Sequence, residues 1–148
     1  MNKLLVANRG EIAVRIFQTA SDLGYQTVAV YPEDDAHSLH VTIADETVML
    51  PGTGAAAYLD IEQVVAAAKQ SGAGMIHPGY GFLSENPAFA AACETAGLTF
   101  IGPTTEQLQT FGNKAGARAR ALETGVPLLP GTNEDTSLEA VLDRKSVV

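Results

Sequence analysis

Cysteine is almost missing from this sequence: Cys93 stands alone among 148 residues. A lone thiol forms no intramolecular disulfide and builds no cysteine-based metal site, and it fits a reducing compartment. Basic residues are scarce as well, with nine Lys and Arg against 17 Asp and Glu, for a net charge of −8. The tightest basic grouping, Lys114, Arg118 and Arg120, is too sparse to neutralise a phosphate backbone, which excludes nucleic acid as a partner. No apolar run reaches the roughly 20 residues of a membrane span. The opening "MNKLLVANRGE" meets charge too early for a signal peptide, so a cytoplasmic location without a membrane partner is expected. Histidine is limited to three positions. His37 and His40, near Asp34 and Asp35, lack a convincing fuller coordination shell, so this reads as a solvated acidic turn and no metal site is expected. Nor does a nucleophile elbow accompany them.

What is present is a globular composition, 46% hydrophobic and 18% charged, on a chain of one-domain length with enough residues for a sizeable core. Apolar runs alternate with helical patterns. "LLVAN" precedes the helix "GEIAVRIFQTASDLG", with Ile12, Ile16, Ala20 and Leu23 on one face; "TVAVY" is a second strand. A short helical piece at "LHVTIA" leads to the strand "ETVML", stopped by "PGTG". "DIEQVVAAAKQSG" predicts a helix capped by Asp60, with Ile61, Val64, Val65 and Ala68 inward. "GMIHP" and "LTFIG" are further strands, and Asn86-Pro87 opens the helix between them. Thr104 and Gln107 are spaced as a capping box before a helix to about Phe111, and "KAGARARALETG" is the last helix, followed by the extended "VPLLPG". The alternation predicts an α/β fold, a Rossmann-like open parallel sheet with helices on both faces, whose strand-end turns gather at one ligand-binding edge.

The first such turn, Asn8-Arg9-Gly10, has one of the three glycines that a dinucleotide fingerprint requires. Glu11 then places a carboxylate in the first turn of the helix, where it already answers the positive end of the helix dipole and repels a phosphate. Nicotinamide binding is disfavoured. Locally, Asn8 reads as the helix cap and Arg9 as solvated; the alternative is that Arg9 and Glu11 brace neighbouring loops, and the residues by themselves favour the local reading.

The stretch "IHPGYGFLSENPAF" is richer. Gly79 and Gly81 flank Tyr80 just after a buried strand, which pushes an aromatic out at the ligand edge, with Ser84, Glu85 and Asn86 close behind. This suits a pocket wall, although an ordinary surface loop has the same composition. His77, at the strand end, is expected to donate to a neighbouring loop carbonyl. Tyr25, Tyr31 and Tyr58 read as core or edge residues. Lys114 opens the last helix, where a cation is unfavourable unless something negative sits close; a solvated basic stripe is the competing reading.

The strings "ANRGEIAVRI", "ADETV", "YLDI", "HPGYGFLSEN", "FIGPT" and "GNKAGAR" together resemble the N-terminal domain of biotin carboxylase, in that family's order and spacing, to about Thr132. The resemblance implies a pre-ATP-grasp domain of an enzyme that uses ATP and bicarbonate to form carboxyphosphate and then carboxylates N1 of biotin, within an acyl-CoA, pyruvate or urea carboxylase. By residue, it implies that Lys114 contacts ATP, that the loop of Tyr80 and Gly81 lies against biotin, and that Arg15 sits at the subunit interface of a homodimer. Asn8, Arg9, Gly10, Glu11, His77 and Glu85 would be supporting-loop residues. Asn113 departs from the family's usual Asp, which puts the orientation of Lys114 in question.

The implied cofactors are ATP, magnesium and biotin in the full-length parent, none of them expected to be bound tightly by this fragment, and the implied partners are a biotin carboxyl carrier domain and a carboxyltransferase domain or subunit. The glycine-rich lid, magnesium-holding carboxylates and proton-transfer residues of the family would lie beyond residue 148, so no catalytic residue is expected within it and the chain alone is expected to be an inactive fragment. Residues 1–132 are assigned to the family domain, 133–142 to the start of a connection, and 143–148, "DRKSVV", to a non-native tail. The alternative from another class is a stand-alone Rossmann-like module that binds a nucleotide or a partner without catalysis.

Overall fold

A computed structural model of the chain describes residues 3–130; the expectations for 133–142 and 143–148 concern residues outside that range. Two compact units are present, Met1–Thr105 and Glu106–Val148.

The first unit is built on strands β1 (Lys3–Val6), β2 (Gln26–Tyr31), β3 (Glu46–Met49), β4 (Met75–His77) and β5 (Thr99–Phe100). All pair in parallel, in the order β3-β2-β1-β4-β5. The apolar runs dictate this, because strands buried on both faces have no polar alternation. Leu5, Ala7, Val28, Val30 and Ile76 point to one face, and Leu4, Val6 and Ala29 to the other. The chain runs outward from β1 through β2 to β3, then returns to place β4 on the other side of β1. The carboxyl ends of β1 and β4 are therefore neighbours at the point where strand order reverses, the place where open α/β sheets bind ligands.

Helix α1 (Gly10–Asp22) follows β1; α2 (Leu39–Ile43), α3 (Gly54–Tyr58) and α4 (Ile61–Ser71) surround β3 in sequence; α5 (Pro87–Thr95) connects β4 to β5. The first face is covered by α3, α4 and α5 through Ala57, Tyr58, Val64, Ala68, Phe89 and Cys93. Phe89 meets Phe100 edge-on, with ring centroids 5.7 Å apart. Asp60 caps α4, its Oδ1 accepting from Gln63 N at 3.0 Å, and Asn86 caps α5 by accepting from Ala88 N at 2.9 Å. The short α3 runs from the last glycine of the expected stop at "PGTG" to Tyr58, expected as a core or edge residue and fully buried.

The second face is packed by α1 through Ala13, Ile16, Phe17 and Ala20. This arc is rotated from the expected stripe of Ile12, Ile16, Ala20 and Leu23, and Leu23 is 69% exposed. That stripe lines a groove of about 460 Å³ together with Leu4, Met75 and Ile101.

Helix α6 (Thr105–Phe111), all but its first residue in the second unit, precedes α7 (Lys114–Glu123). Asn113 caps α7, its Oδ1 accepting from Ala115 N at 2.8 Å and Gly116 N at 3.1 Å. Arg118 donates to the carbonyl of Leu129 at 2.9 Å, and Arg120 pairs with Glu123 at 3.0 Å. No described helix is long and apolar enough to cross a membrane.

Candidate functional site

The two loops at the switch point are tied together by one side chain. Asn8 follows β1 and is buried. Its amide nitrogen donates to the carbonyls of Pro78 and Tyr80, both at 2.8 Å, and its oxygen accepts from Arg9 N at 2.9 Å. The expectation that Asn8 caps α1 is thereby corrected: the cap position is Arg9, with no side-chain capping bond. The carboxamide satisfies carbonyls of a loop 70 residues away, which would otherwise be left at the crevice without donors.

Gly79 completes the fit. A Cβ there would lie 2.7 Å from the amide nitrogen of Asn8, and its φ is +67°, so any other residue meets both a clash and a strained backbone. His77 also departs from expectation. Its Nδ1 accepts from Gly79 N at 3.0 Å, where donation to a carbonyl was expected. With that lone pair used, the ring's proton belongs on Nε2. Burial lowers the pKa of His77, which keeps the ring neutral.

Arg9 and Glu11 reach in different directions. Arg9 donates to Asp35 at 3.0 Å and stands over the rings of Tyr58 and Phe82, 5.6 and 5.8 Å from their centroids. It is not simply solvated, as the local reading had it. Asp35 also accepts from the Tyr58 hydroxyl at 2.8 Å and the Ser38 hydroxyl at 3.2 Å. Burial pushes the Asp35 pKa up, but the bonds from Arg9 and Tyr58 outweigh it and hold the carboxyl below the usual range. Burial and the bond to Asp35 raise Tyr58 far above an ordinary phenol. Asp34, its neighbour in the same loop, has both oxygens 3.0 Å from Gly54 N. Both acids of that loop are thus engaged in local structure.

Glu11, exposed in the first turn of α1, accepts a hydrogen bond from the Tyr80 hydroxyl, and that bond raises the Tyr80 pKa. Tyr80 is 58% exposed. Gly81 is open, with nothing within 4 Å of a would-be Cβ, and Phe82 takes a left-handed backbone with φ 43° while its ring lies 5.3 Å from that of Tyr58. Gly10 has φ +63° and free space around it, and the carboxylate of Glu11 next to it already faces a phenol. Glu85 is exposed in the turn before α5.

Arg15 projects from the exposed side of α1 and lines the groove, as does His77. Lys114 belongs to the second unit, exposed at the first position of α7. The amides of Ala115 and Gly116 beside it are already taken by Asn113, so its charge, not the bare helix end, is what it offers an anion. His40 is buried; its Nε2 lies 3.3 Å from the carbonyl of Val30 and its Nδ1 has no partner. Among the described residues, no three of His, Cys, Asp and Glu gather closely enough to hold a metal ion.

A parallel α/β sheet whose switch-point crevice is bridged by a side chain, beside an exposed aromatic on a glycine-flanked loop, defines a scaffold of the Rossmann-like class. Residues 1–108 match the family described as biotin carboxylase, N-terminal domain, and the chain belongs to that family. It is 53% identical to urea amidolyase of Saccharomyces cerevisiae over 137 residues, 92% of this chain and 8% of that protein. Among solved structures, it superposes with a TM-score of 0.92 and 52% identity on the biotin carboxylase domain of a single-chain bacterial carboxylase, covering 99% of this chain and 34% of that one. The biotin carboxylase domain dimer of Hydrogenobacter thermophilus 2-oxoglutarate carboxylase, solved with MgADP and bicarbonate, matches with a TM-score of 0.90 and 43% identity, over 99% of this chain and 32% of that one. The chain thus spans about one third of a solved biotin carboxylase domain.

Proposed function

We propose that this chain supplies the N-terminal part of a biotin carboxylase, in which ATP and bicarbonate carboxylate biotin for transfer to an acceptor. The observation that carries this reading is the Tyr80 loop. In a chain of this family, an exposed aromatic and an open glycine stand at the switch point, held from below by Asn8. Tyr80 and Gly81 offer a flat, unobstructed surface for the ring system of biotin, and their loop is positioned by the supporting residues Asn8, Arg9, Gly10, Glu11 and His77. Lys114 offers a cation to ATP. When bound, ATP supplies the phosphoryl group that activates bicarbonate. The described residues provide no metal-holding carboxylate cluster, so no step of magnesium chemistry is assigned to them. Such a domain would work with a carboxyl carrier and a carboxyltransferase in the cytoplasm, and the groove around Arg15 would meet a second subunit.

The test is a chimera in which this chain's residues 1–130 replace the matching part of the 52%-identical biotin carboxylase domain. Bicarbonate-dependent ATP cleavage with free biotin is expected, and Lys114→Ala in that chimera should raise the KM for ATP about tenfold or more, as loss of one charged contact does. A folded chimera without turnover would overturn the reading. The 148-residue chain alone is expected to show no bicarbonate-dependent ATP cleavage.

A further inference from the structure

We infer that Asn8 is a positioning residue that sets where Tyr80 stands, by filling the switch-point crevice with its own carboxamide. All three polar contacts of this side chain are committed: two donors to Pro78 O and Tyr80 O, one acceptor to Arg9 N. Turning the amide over would aim its oxygen at two carbonyls, so one orientation is fixed. Gly79 rests directly against it. The backbone on both sides of Gly79 is therefore gripped by the first turn, and the tip of the same loop returns to that turn through the Tyr80–Glu11 bond. Beyond Tyr80, Phe82 anchors the loop by stacking near Tyr58 under Arg9.

In most folds of this topology the crevice admits a ligand. Here a protein side chain occupies it, and the ligand-facing surface moves outward to Tyr80. Only the statement that this surface faces biotin rests on the proposed function; the positioning role does not.

The experiment uses the full 148-residue chain and Asn8→Asp, which keeps the acceptor for Arg9 N and replaces the amide nitrogen, with both its N–H donors, by one oxygen facing two carbonyls. Tyr80 titration is followed by ultraviolet difference against Tyr80→Phe, and amide exchange is followed at Gly79 and Ser84, whose N–H groups bond to His77 Nδ1 and Gly81 O. Release of the loop should lower the Tyr80 midpoint as the phenol leaves Glu11. It should also speed exchange at both amides about tenfold or more, while Val28 and Val30 in the sheet change less than about twofold. An unchanged Tyr80 midpoint with unchanged loop exchange would overturn the role.

Should Asn8→Asp fail to fold, Gly79→Ala presses on the carboxamide from the other side and should give the same local release. Fast exchange spread evenly over sheet and loop in that variant would count against the role. In the biotin carboxylase chimera, a Tyr80→Ala substitution that leaves the KM for biotin unchanged would remove the biotin reading, while loop release in the Asn8 and Gly79 variants of the chain would leave the positioning role supported.

Discussion

The two faces of the sheet are finished to different degrees. On one, α3, α4 and α5 close over the strands, and Tyr58, Val64, Phe89 and Ile76 are fully buried. On the other, α1 packs Ala13 and Phe17 against β1 and β2, while Met75 and Ile101 on the β4 and β5 side remain along an open groove. One face is where this unit's own cohesion resides. The other carries an open groove with Arg15 among its lining residues.

The largest expected effect breaks the finished face. Phe89→Ala removes a fully buried ring set edge-on to Phe100 and should cost about 3–5 kcal/mol of unfolding free energy, read from denaturant midpoints. A cost below about 1 kcal/mol would mean that this face can collapse around the cavity and is not the rigid one.

Next comes the buried polar knot at the strand edge. Asp35→Ala leaves the Tyr58 hydroxyl and the Arg9 guanidinium without their shared acceptor. Loss of about 2 kcal/mol is expected, the cost of orphaning partly buried donors. Chemical denaturation of Asp35→Ala beside Arg9→Met should separate the terms, with the arginine variant milder because it leaves the Tyr58–Asp35 bond in place.

Much of this was legible in the sequence. The strand runs, the Asp60 and Asn86 caps, and the glycine-flanked aromatic are local signals, and local signals survive folding. Asn8 misleads because its capping propensity is local whereas its partners, Pro78 and Tyr80, come from another loop. Arg9 has no neighbour in sequence to suggest Asp35 or the rings of Tyr58 and Phe82. Helix α3 is too short, at five residues, to show a period. The stripe through Ile12, Ile16, Ala20 and Leu23 is genuine, but apolar spacing cannot distinguish a wall of the core from a wall of an open groove.

Acid should act in two stages. Burial depresses the pKa of His40 and of His77 below 6.5, so below that pH the unfolded chain binds protons that the folded chain refuses. Stability is then full above pH 6.5 and falls as pH drops through the folded values. Asp35 lies below its usual 3.8, and so does Asp45, whose carboxylate is held there by accepting from the amide and the hydroxyl of Thr27 at 2.8 Å. The stability they contribute is present above that pH and lost as pH falls through their folded values. Urea midpoints at pH 7.5 and 5.5 should differ, and His40→Gln should shrink the difference. Equal midpoints in the wild type would show that neither ring is held neutral.

The smallest expected effect sharpens the comparison most. Leu23→Ser, on the groove wall at 69% exposure, should change the stability of the chain by no more than about 0.5 kcal/mol, since little apolar area leaves a buried state. A cost above about 1 kcal/mol would show that the groove wall belongs to the core and that the two faces do not differ. The same substitution in the chimera should weaken self-association if a second subunit covers the groove, because the area then lost is buried only in the assembly. A residue that is silent in one context and costly in the other is what an unfinished face predicts, and no residue of the finished face can behave that way.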